Sequence, residues 1–382
     1  MKRLLLLGGG HAHVHVLQAL ARERAVGAEV TLVSPFMQQT YSGMVPGLVA
    51  GHYAAAQCAI PLLPLARAAG VRFVHSAATA LDAAQRSVTL ANGSKLGYDV
   101  LSLDVGGAMD RQVVPGAREH ALWVRPIEQF VHWADQMIAI AGERTLDAVV
   151  VGGGAAGVEL ALALQHRLNR MGTGSRLTLV AGPEGVLLGY PSATIRRGLR
   201  TLRRMRVVVV NEACTEITAN HVHLSNGARL ACDAPVMCIG TSAPPWLHGS
   251  GLAQDERGFI STGPTLQSLS HAEVFAAGDV ASRPDAPHPR SGVYAVRAGP
   301  PLAHNLRRAV AGGELMAYKP PLRTLNLLSC GRRRAILSYG DWSAQGRWVW
   351  WLKDRIDRAF VARYSLPGAT ESVAQMRDDA AA

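Results

Sequence analysis

Leu4-Leu5-Leu6-Leu7-Gly8-Gly9-Gly10-His11-Ala12-His13 decides the fold of this chain. A short apolar run meets three glycines and passes into a stretch with helical spacing. Strand, tight turn and helix in that order open a dinucleotide-binding βαβ unit. About 140 residues further on the pattern returns as Ala148-Val149-Val150-Val151-Gly152-Gly153-Gly154-Ala155-Ala156-Gly157-Val158-Glu159. Glycine lets the backbone approach a pyrophosphate, and the helix N-terminus offers free N–H groups and a positive dipole end. One such turn is a weak signal. Two in one chain, each between strand and helix, imply two dinucleotides: a bound flavin and a visiting nicotinamide.

The 382 residues are enough for two or three domains with cores of their own. The net charge of +11 is almost all arginine, with lysine only at Lys2, Lys95, Lys319 and Lys353. These charges form no basic block interleaved with aromatics, so no nucleic-acid partner is expected. Anionic cofactors or an anionic membrane surface suit the excess better. No apolar run reaches the roughly 20 residues of a membrane span. The start, Met1-Lys2-Arg3 and four leucines, mimics a signal peptide, but the run is short and meets glycine at once. A first buried strand and a cytoplasmic protein are expected. Cys58, Cys214, Cys232, Cys238 and Cys330 form no C-x-x-C pair and read as buried reduced thiols.

The pattern along the chain predicts an α/β fold. Two Rossmann-like dinucleotide-binding domains are followed by a small α+β C-terminal domain. Strands at 3–7 and 29–33 flank a helix at 11–25, and a long loop at 36–61 follows. Further strands fall at 71–75, 87–90 and 98–103, with a hairpin at Asn92-Gly93. Pro115-Gly116 marks a crossing. A helix at 126–142 and a second βαβ unit come next, then strands at 207–210, 221–224 and 234–239. The resulting division is 1–116 and 246–318 for the flavin side, 117–245 for the nicotinamide side and 319–382 for the last domain. In that last domain Trp348, Trp351, Leu352, Ile356, Ala359 and Phe360 fall on one helical stripe flanked by basic residues. That stripe suits a membrane surface, a cap on the flavin domain or a dimer contact.

The residues that carry chemistry depart from the simple motif in instructive places. The three-glycine pattern is intact at Gly152, Gly154 and Gly157, but the first turn has His13 where the third glycine belongs. His13 there implies a wider helix–strand approach or a side chain aimed at the cofactor. A dinucleotide site usually closes its second strand with an acid for the ribose hydroxyls. Ser34 and Ala181-Gly182 stand there instead, so NADH versus NADPH stays open. In Ala276-Ala277-Gly278-Asp279 a strand delivers a carboxylate suited to a flavin's ribityl hydroxyl, or to capping the next helix. His11 and His15 share a helix face, but their place at the turn favours cofactor contact over a metal, and no metal site is expected.

Taken with Tyr41-Ser42-Gly43-Met44-Val45-Pro46-Gly47, Gly292-Val293-Tyr294-Ala295-Val296-Arg297 and Trp351-Leu352-Lys353-Asp354-Arg355-Ile356-Asp357-Arg358, the turns carry a resemblance. The chain resembles the pyridine nucleotide-disulfide oxidoreductase superfamily over nearly its whole length. Type II NADH dehydrogenases and sulfide:quinone oxidoreductases are similar in layout, and most similar is the flavoprotein module fused to some selenide, water dikinases. The resemblance implies FAD against Gly8, Gly10, His11, His13, Ser34, Ala78, Gly278 and Asp279. It implies Gly292 and Val293 at the helix start facing the flavin, with Pro46 bordering the ring. It implies NADH or NADPH against Gly152, Gly154, Gly157, Glu159 and Gly240.

The expected function is an FAD-dependent oxidoreductase passing a hydride from NAD(P)H through flavin to a quinone or other small acceptor. Peripheral contact with the inner face of the membrane through 346–364 and a homodimer belong to the same expectation. Disulfide reductases carry a cysteine pair near the first turn, and this chain does not. No catalytic residue is assigned; the candidates are Cys330 and Glu159. An oxidoreductase of sulfide or selenium species would depend on Cys330. A flavin redox sensor without turnover is the third reading.

Overall fold

A computed structural model describes residues 1–365. β1 (Lys2–Leu7), α1 (His11–Arg22) and β2 (Ala28–Ser34) form the first βαβ unit, with β1 and β2 parallel from Lys2↔Ala28 to Leu7↔Val33. β3 (Arg72–His75) pairs with β2, and β4 (Val100–Leu103) with β1. All four leucines of β1 are buried, as a parallel strand covered on both faces requires. Leu4 and Leu6 join the core under α1, while Leu5 and Leu7 join the core on the opposite face. A three-stranded antiparallel unit, Ala78–Asp82, Ser87–Leu90 and Lys95–Gly97, lies between β3 and β4 in the chain.

The chain then builds a second parallel sheet. Its elements are β5 (Leu122–Trp123), α2 (Ile127–Glu143), β6 (Asp147–Val151), α3 (Ala155–Met171), β7 (Arg176–Val180), α4 (Ser192–Arg204), β8 (Val208–Val210) and β9 (Ala234–Met237). The strand order is β5-β9-β6-β7-β8. β10 (Val274–Ala276) returns to the first sheet beside β4 and completes the order β10-β4-β1-β2-β3. α5 (Gly292–Ala311) packs on α1 at Gly299, where a Cβ would stand 2.8 Å from that of His15, so only glycine allows this approach. β11 (Asn326–Ser329), β12 (Ala335–Tyr339) and β13 (Trp342–Gly346) form an antiparallel sheet, and α6 (Arg347–Tyr364) closes the described chain.

Two expectations change. The segment 36–61 is not a plain loop. Gln38–Thr40 pairs with Ala59–Pro61, and Val45–Val49 is a short helix between them. Pro46 starts that helix, because its fixed φ and missing N–H suit a first turn. It lies buried, away from the cavities described below. The stripe expected on α6 is also split. Phe360 is buried, but Trp348, Trp351 and Ile356 are 54%, 67% and 42% exposed. The inward face instead carries Val349, Trp350, Lys353, Asp357, Phe360, Val361 and Tyr364. Two charges can turn inward because they pair with each other: Lys353 Nζ lies 2.8 Å from Asp357 Oδ2.

The two glycine turns solve one packing problem differently. At the second, a Cβ on Gly157 would overlap the Gly152 carbonyl oxygen. At the first, His13 occupies that place and turns its ring inward. Its Nδ1 donates to the Gly8 carbonyl at 2.6 Å, and Nε2 accepts from the Ser102 hydroxyl at 2.8 Å. A carbonyl can only accept, which fixes the tautomer. Burial pushes the imidazole pKa down to about 4, so it stays neutral in this role. His13 is thus a structural tie from turn to sheet, not the cofactor contact expected from the sequence. Replacing His13 with Ala leaves two buried partners unsatisfied and opens a cavity. The expected loss is about 2–4 kcal/mol of stability, read from the urea midpoint.

Candidate functional site

The carboxyl ends of both parallel sheets line connected cavities, as open α/β folds require of their ligand sites. The larger, of about 1690 Å³, takes in the ends of β6 and β7 and the first residues of α3 and α5. The smaller, of about 410 Å³, takes in the ends of β1, β2 and β4. Ser42, Arg125, Asp279 and Gly292 line both, so the two adjoin, and together they are called the cleft below.

On the smaller side, Asp104 follows β4 and turns its carboxylate to the start of α1. Its Oδ2 accepts the N–H groups of Ala12 at 2.7 Å and His13 at 2.8 Å. The Gly10 N–H bonds the Asp104 carbonyl at 3.2 Å. Among the described residues the N–H groups of Gly9 and His11 have no acceptor, and the buried Nε2 of His11 has no partner. A Cβ at Gly9 or Gly10 would collide with Leu62 or with Asp104. Burial pushes the Asp104 pKa up to about 6, opposed by those N–H donors and by His11. Arg125 Nη2 lies 2.8 Å from Asp279 Oδ2 and places the counter-charge on the cleft wall. Opposite stands the N-terminus of α5, with no acidic residue in its first turn. Free N–H groups, a guanidinium, an unpartnered imidazole and a glycine cradle fit the pyrophosphate of a dinucleotide.

On the larger side the turn Gly152–Gly157 is more open. A Cβ at Gly154 would meet nothing within 4 Å, and no side chain caps α3. Glu159, one turn into α3, is half-buried, and its Oε1 accepts the Ser329 N–H at 2.6 Å. Burial pushes its pKa up to about 7, against the pull of Lys353. Lys353 Nζ also donates to the Gly43 carbonyl at 2.7 Å. Burial likewise raises Asp357, with Lys353 opposing. Tyr41 stacks on Phe360 at 4.5 Å and meets His11 edge-on at 5.4 Å. Burial and the Asp357 carboxylate hold its phenol above the ordinary range.

Of the residues singled out from the sequence, Gly8, Gly10, His11, Ser34, Ala78, Gly278, Asp279 and Gly292 line the smaller cavity. Gly152, Gly154, Gly157, Glu159, Gly240 and Val293 line the larger. Ser34 spends its hydroxyl locally, donating to the Phe36 carbonyl at 2.8 Å. His13 and Pro46 line neither cavity; Tyr41, Ser42 and Gly43 stand where Pro46 was expected. Cys330 also lies behind the wall, its thiol 3.6 Å from the Leu328 carbonyl and its pKa pushed up to about 12 by burial. It lines neither cavity. Asp104, Arg125, Lys353 and Asp357 were not singled out. Asp104 had a usable signal, since Leu103-Asp104-Val105-Gly106 is a second strand ending in a carboxylate beside glycine.

The family described as pyridine nucleotide-disulphide oxidoreductase matches residues 2–305. The chain is 26% identical over 297 residues to the demethylphylloquinone reductase NdbB of Synechocystis sp., covering 74% of this chain and 73% of that one. It is 30% identical over 307 residues to an NADH dehydrogenase-like protein of Mycobacterium tuberculosis, again covering 74% and 73%. The sulfide:quinone oxidoreductase from Aquifex aeolicus superposes with a TM-score of 0.78 at 17% identity, over 97% of this chain and 94% of that one. NDH2 from Plasmodium falciparum, solved in complex with NADH, gives 0.76 at 12% identity, over 95% and 97%. At these identities the structural likeness is one of fold.

A protonated, buried thiol off the cleft has no route to a substrate. Cys330→Ala is therefore expected to keep steady-state turnover within about twofold of the parent. A loss of turnover with flavin still bound would return Cys330 to the mechanism.

Proposed function

The chain belongs to the pyridine nucleotide-disulphide oxidoreductase family, and we propose that it is an FAD enzyme passing electrons from NAD(P)H to a quinone. One observation carries this reading: each glycine turn lines one of two adjoining cavities, which share Ser42, Arg125, Asp279 and Gly292 as a common wall. The flavin, when bound, supplies the hydride-accepting chemistry. The protein supplies position and charge. The Gly8–His11 turn and Arg125 hold one pyrophosphate, and the Gly152–Gly157 turn holds the other. The N–H groups at Gly292 and Val293 point a positive helix end into the cleft, which favours negative charge there.

Reduction of a quinone also takes up protons, and Glu159 is placed to hold one. Its Oε1 is committed to the Ser329 N–H, so the proton sits on Oε2. The sulfur and selenium readings depend on Cys330, which lines neither cavity. The thiols that do line the cleft, Cys214 and Cys238, are raised by burial to about 11 and about 12 and stay protonated.

The C-terminal module suits a membrane surface. Trp342 is 59% exposed, and Trp348 and Trp351 stand out beside the exposed Arg347 and Arg355. Leu325, Tyr339 and Ile356 are exposed and also line the cleft. Aromatic rings at headgroup depth with basic neighbours are the signature of an interfacial helix. This face would present the cleft mouth to a quinone dissolved in lipid. Among the described residues no helix is long and apolar enough to cross a membrane.

Three experiments test the proposal. Anaerobic titration of the purified yellow protein with NADH and then NADPH should bleach the flavin band, and a water-soluble quinone should restore it. A flavin that neither nucleotide bleaches overturns the reading. The quinone step should slow as pH rises through about 7, because ionised Glu159 no longer carries the proton, and Glu159→Gln should lose that inflection. An unchanged inflection in the variant removes Glu159 from the step. Separately, the protein should sediment with anionic vesicles, and Trp348→Ser with Trp351→Ser should cut the bound fraction about tenfold or more. Equal sedimentation of parent and variant would rule this face out.

A further inference from the structure

The second turn lacks an acid at the end of its second strand, where a dinucleotide-binding unit carries the ribose ligand. β7 runs from Val180 straight into Ala181-Gly182. The neighbouring strand has the missing group. β8 pairs with β7 as Val180↔Val210, and two residues beyond that pair Glu212 lines the cleft along with Ala181 and Gly182.

The carboxylate is held ready. Its Oε2 accepts the Ser225 hydroxyl at 2.5 Å, and Ser225 Oγ in turn accepts the Ala213 N–H at 3.1 Å. Among the described residues Oε1 has no partner. Gly182 sits at φ +80°, and a Cβ there would meet nothing within 4 Å, so the passage beside it is open. Among the described residues no cation stands on this wall. The cleft-lining arginines are Arg125, Arg257, Arg290, Arg297 and Arg323, and none comes from the ends of β7 or β8. On α4, Arg196 bonds Ser192 and Arg197 bonds the Ser343 carbonyl, and neither lines the cleft.

We infer that Glu212 receives the adenosine ribose hydroxyls of the nicotinamide dinucleotide and makes this chain select NADH over NADPH. The inference rests on the proposed function, since it needs a nicotinamide dinucleotide at the second turn. A ribose diol donates two O–H groups to one anchored carboxylate, and both bonds are charge-assisted. A 2′-phosphate would bring a second anion against that carboxylate with no cation to separate them.

The test is calorimetric titration of the flavin-loaded protein with ADP-ribose and with 2′-phospho-ADP-ribose, neither of which reduces flavin. ADP-ribose should bind at least about tenfold tighter. Glu212→Gln should weaken ADP-ribose about tenfold and narrow the gap between the two ligands. Ser225→Ala, which frees the carboxylate to swing, should weaken ADP-ribose by a smaller factor. If ADP-ribose binds parent and Glu212→Gln alike, or the parent prefers the phosphorylated ligand, the inference falls and the proposed function stands. If the parent binds neither ligand, the nicotinamide reading of this turn falls and takes the inference with it.

Discussion

One carboxylate fixes the geometry on which the first half of the cleft depends. Asp104, at the end of β4, accepts the N–H groups of Ala12 and His13 at the start of α1. A helix begins with N–H groups that its own backbone cannot satisfy. Here a side chain from the adjacent strand satisfies two of them, and the dipole end it meets is positive. His13 completes the bracket by bonding Gly8 on one side and Ser102 on the other. Strand β1, helix α1 and strand β4 are thereby locked at their common corner, and the N–H groups of Gly9 and His11 stay uncommitted.

The two turns are therefore alike in letters and unlike in physics. The first is braced internally, its third glycine replaced and half its donors already used. The second is bare at Gly154 and relies on Gly157 for close packing. Under the proposed function that difference matches two kinds of ligand. A resident cofactor shares its site with structural groups and is held by enclosure and by the Arg125–Asp279 pair. A nucleotide that enters and leaves each cycle uses a turn whose donors are uncommitted, so arrival requires no rearrangement of protein bonds.

The fold was legible because periodicity and turn chemistry agreed. Four consecutive leucines ending in glycine read as a buried parallel strand, and all four are buried in β1. The positions with glycine or aspartate at strand ends were equally readable, and Gly278, Asp279, Gly292 and the second turn all line the cleft. What was hidden depends on partners far apart in the chain. The inward turn of His13 needs Ser102, 89 residues away. Lys353 and Asp357 looked like solvated charges on an amphipathic helix, because nothing local shows that they pair inward and reach Gly43, 310 residues upstream. With that pair turned inward, Trp348, Trp351 and Ile356 stay exposed and Phe360 is buried apart from them. The segment 36–61 was mistaken for a loop because its Gly and Pro residues mark turns between pieces too short for periodicity to show.

The protonated state of Glu159 draws on all parts of the chain at once. The acid itself comes from α3 in the second sheet's domain. Its one hydrogen bond comes from Ser329 at the end of β11, and its nearest cation, Lys353, from α6. Lys353 is already shared between Asp357 and the Gly43 carbonyl. Burial is the main cause that raises the Glu159 pKa from the ordinary 4.5 to about 7, and the Asp357 carboxylate on the same ammonium adds to it. The sign for stability follows. A carboxyl whose folded pKa is raised favours the fold fully below the unfolded value and loses that advantage as pH climbs through the folded one. Removing any one contributor shifts this balance: without the Ser329 N–H or Lys353 the pKa rises further, and without Asp357 it drops. Under the proposed function the C-terminal segment, through Ser329, Lys353 and Asp357, tunes the protonation of an acid carried on α3.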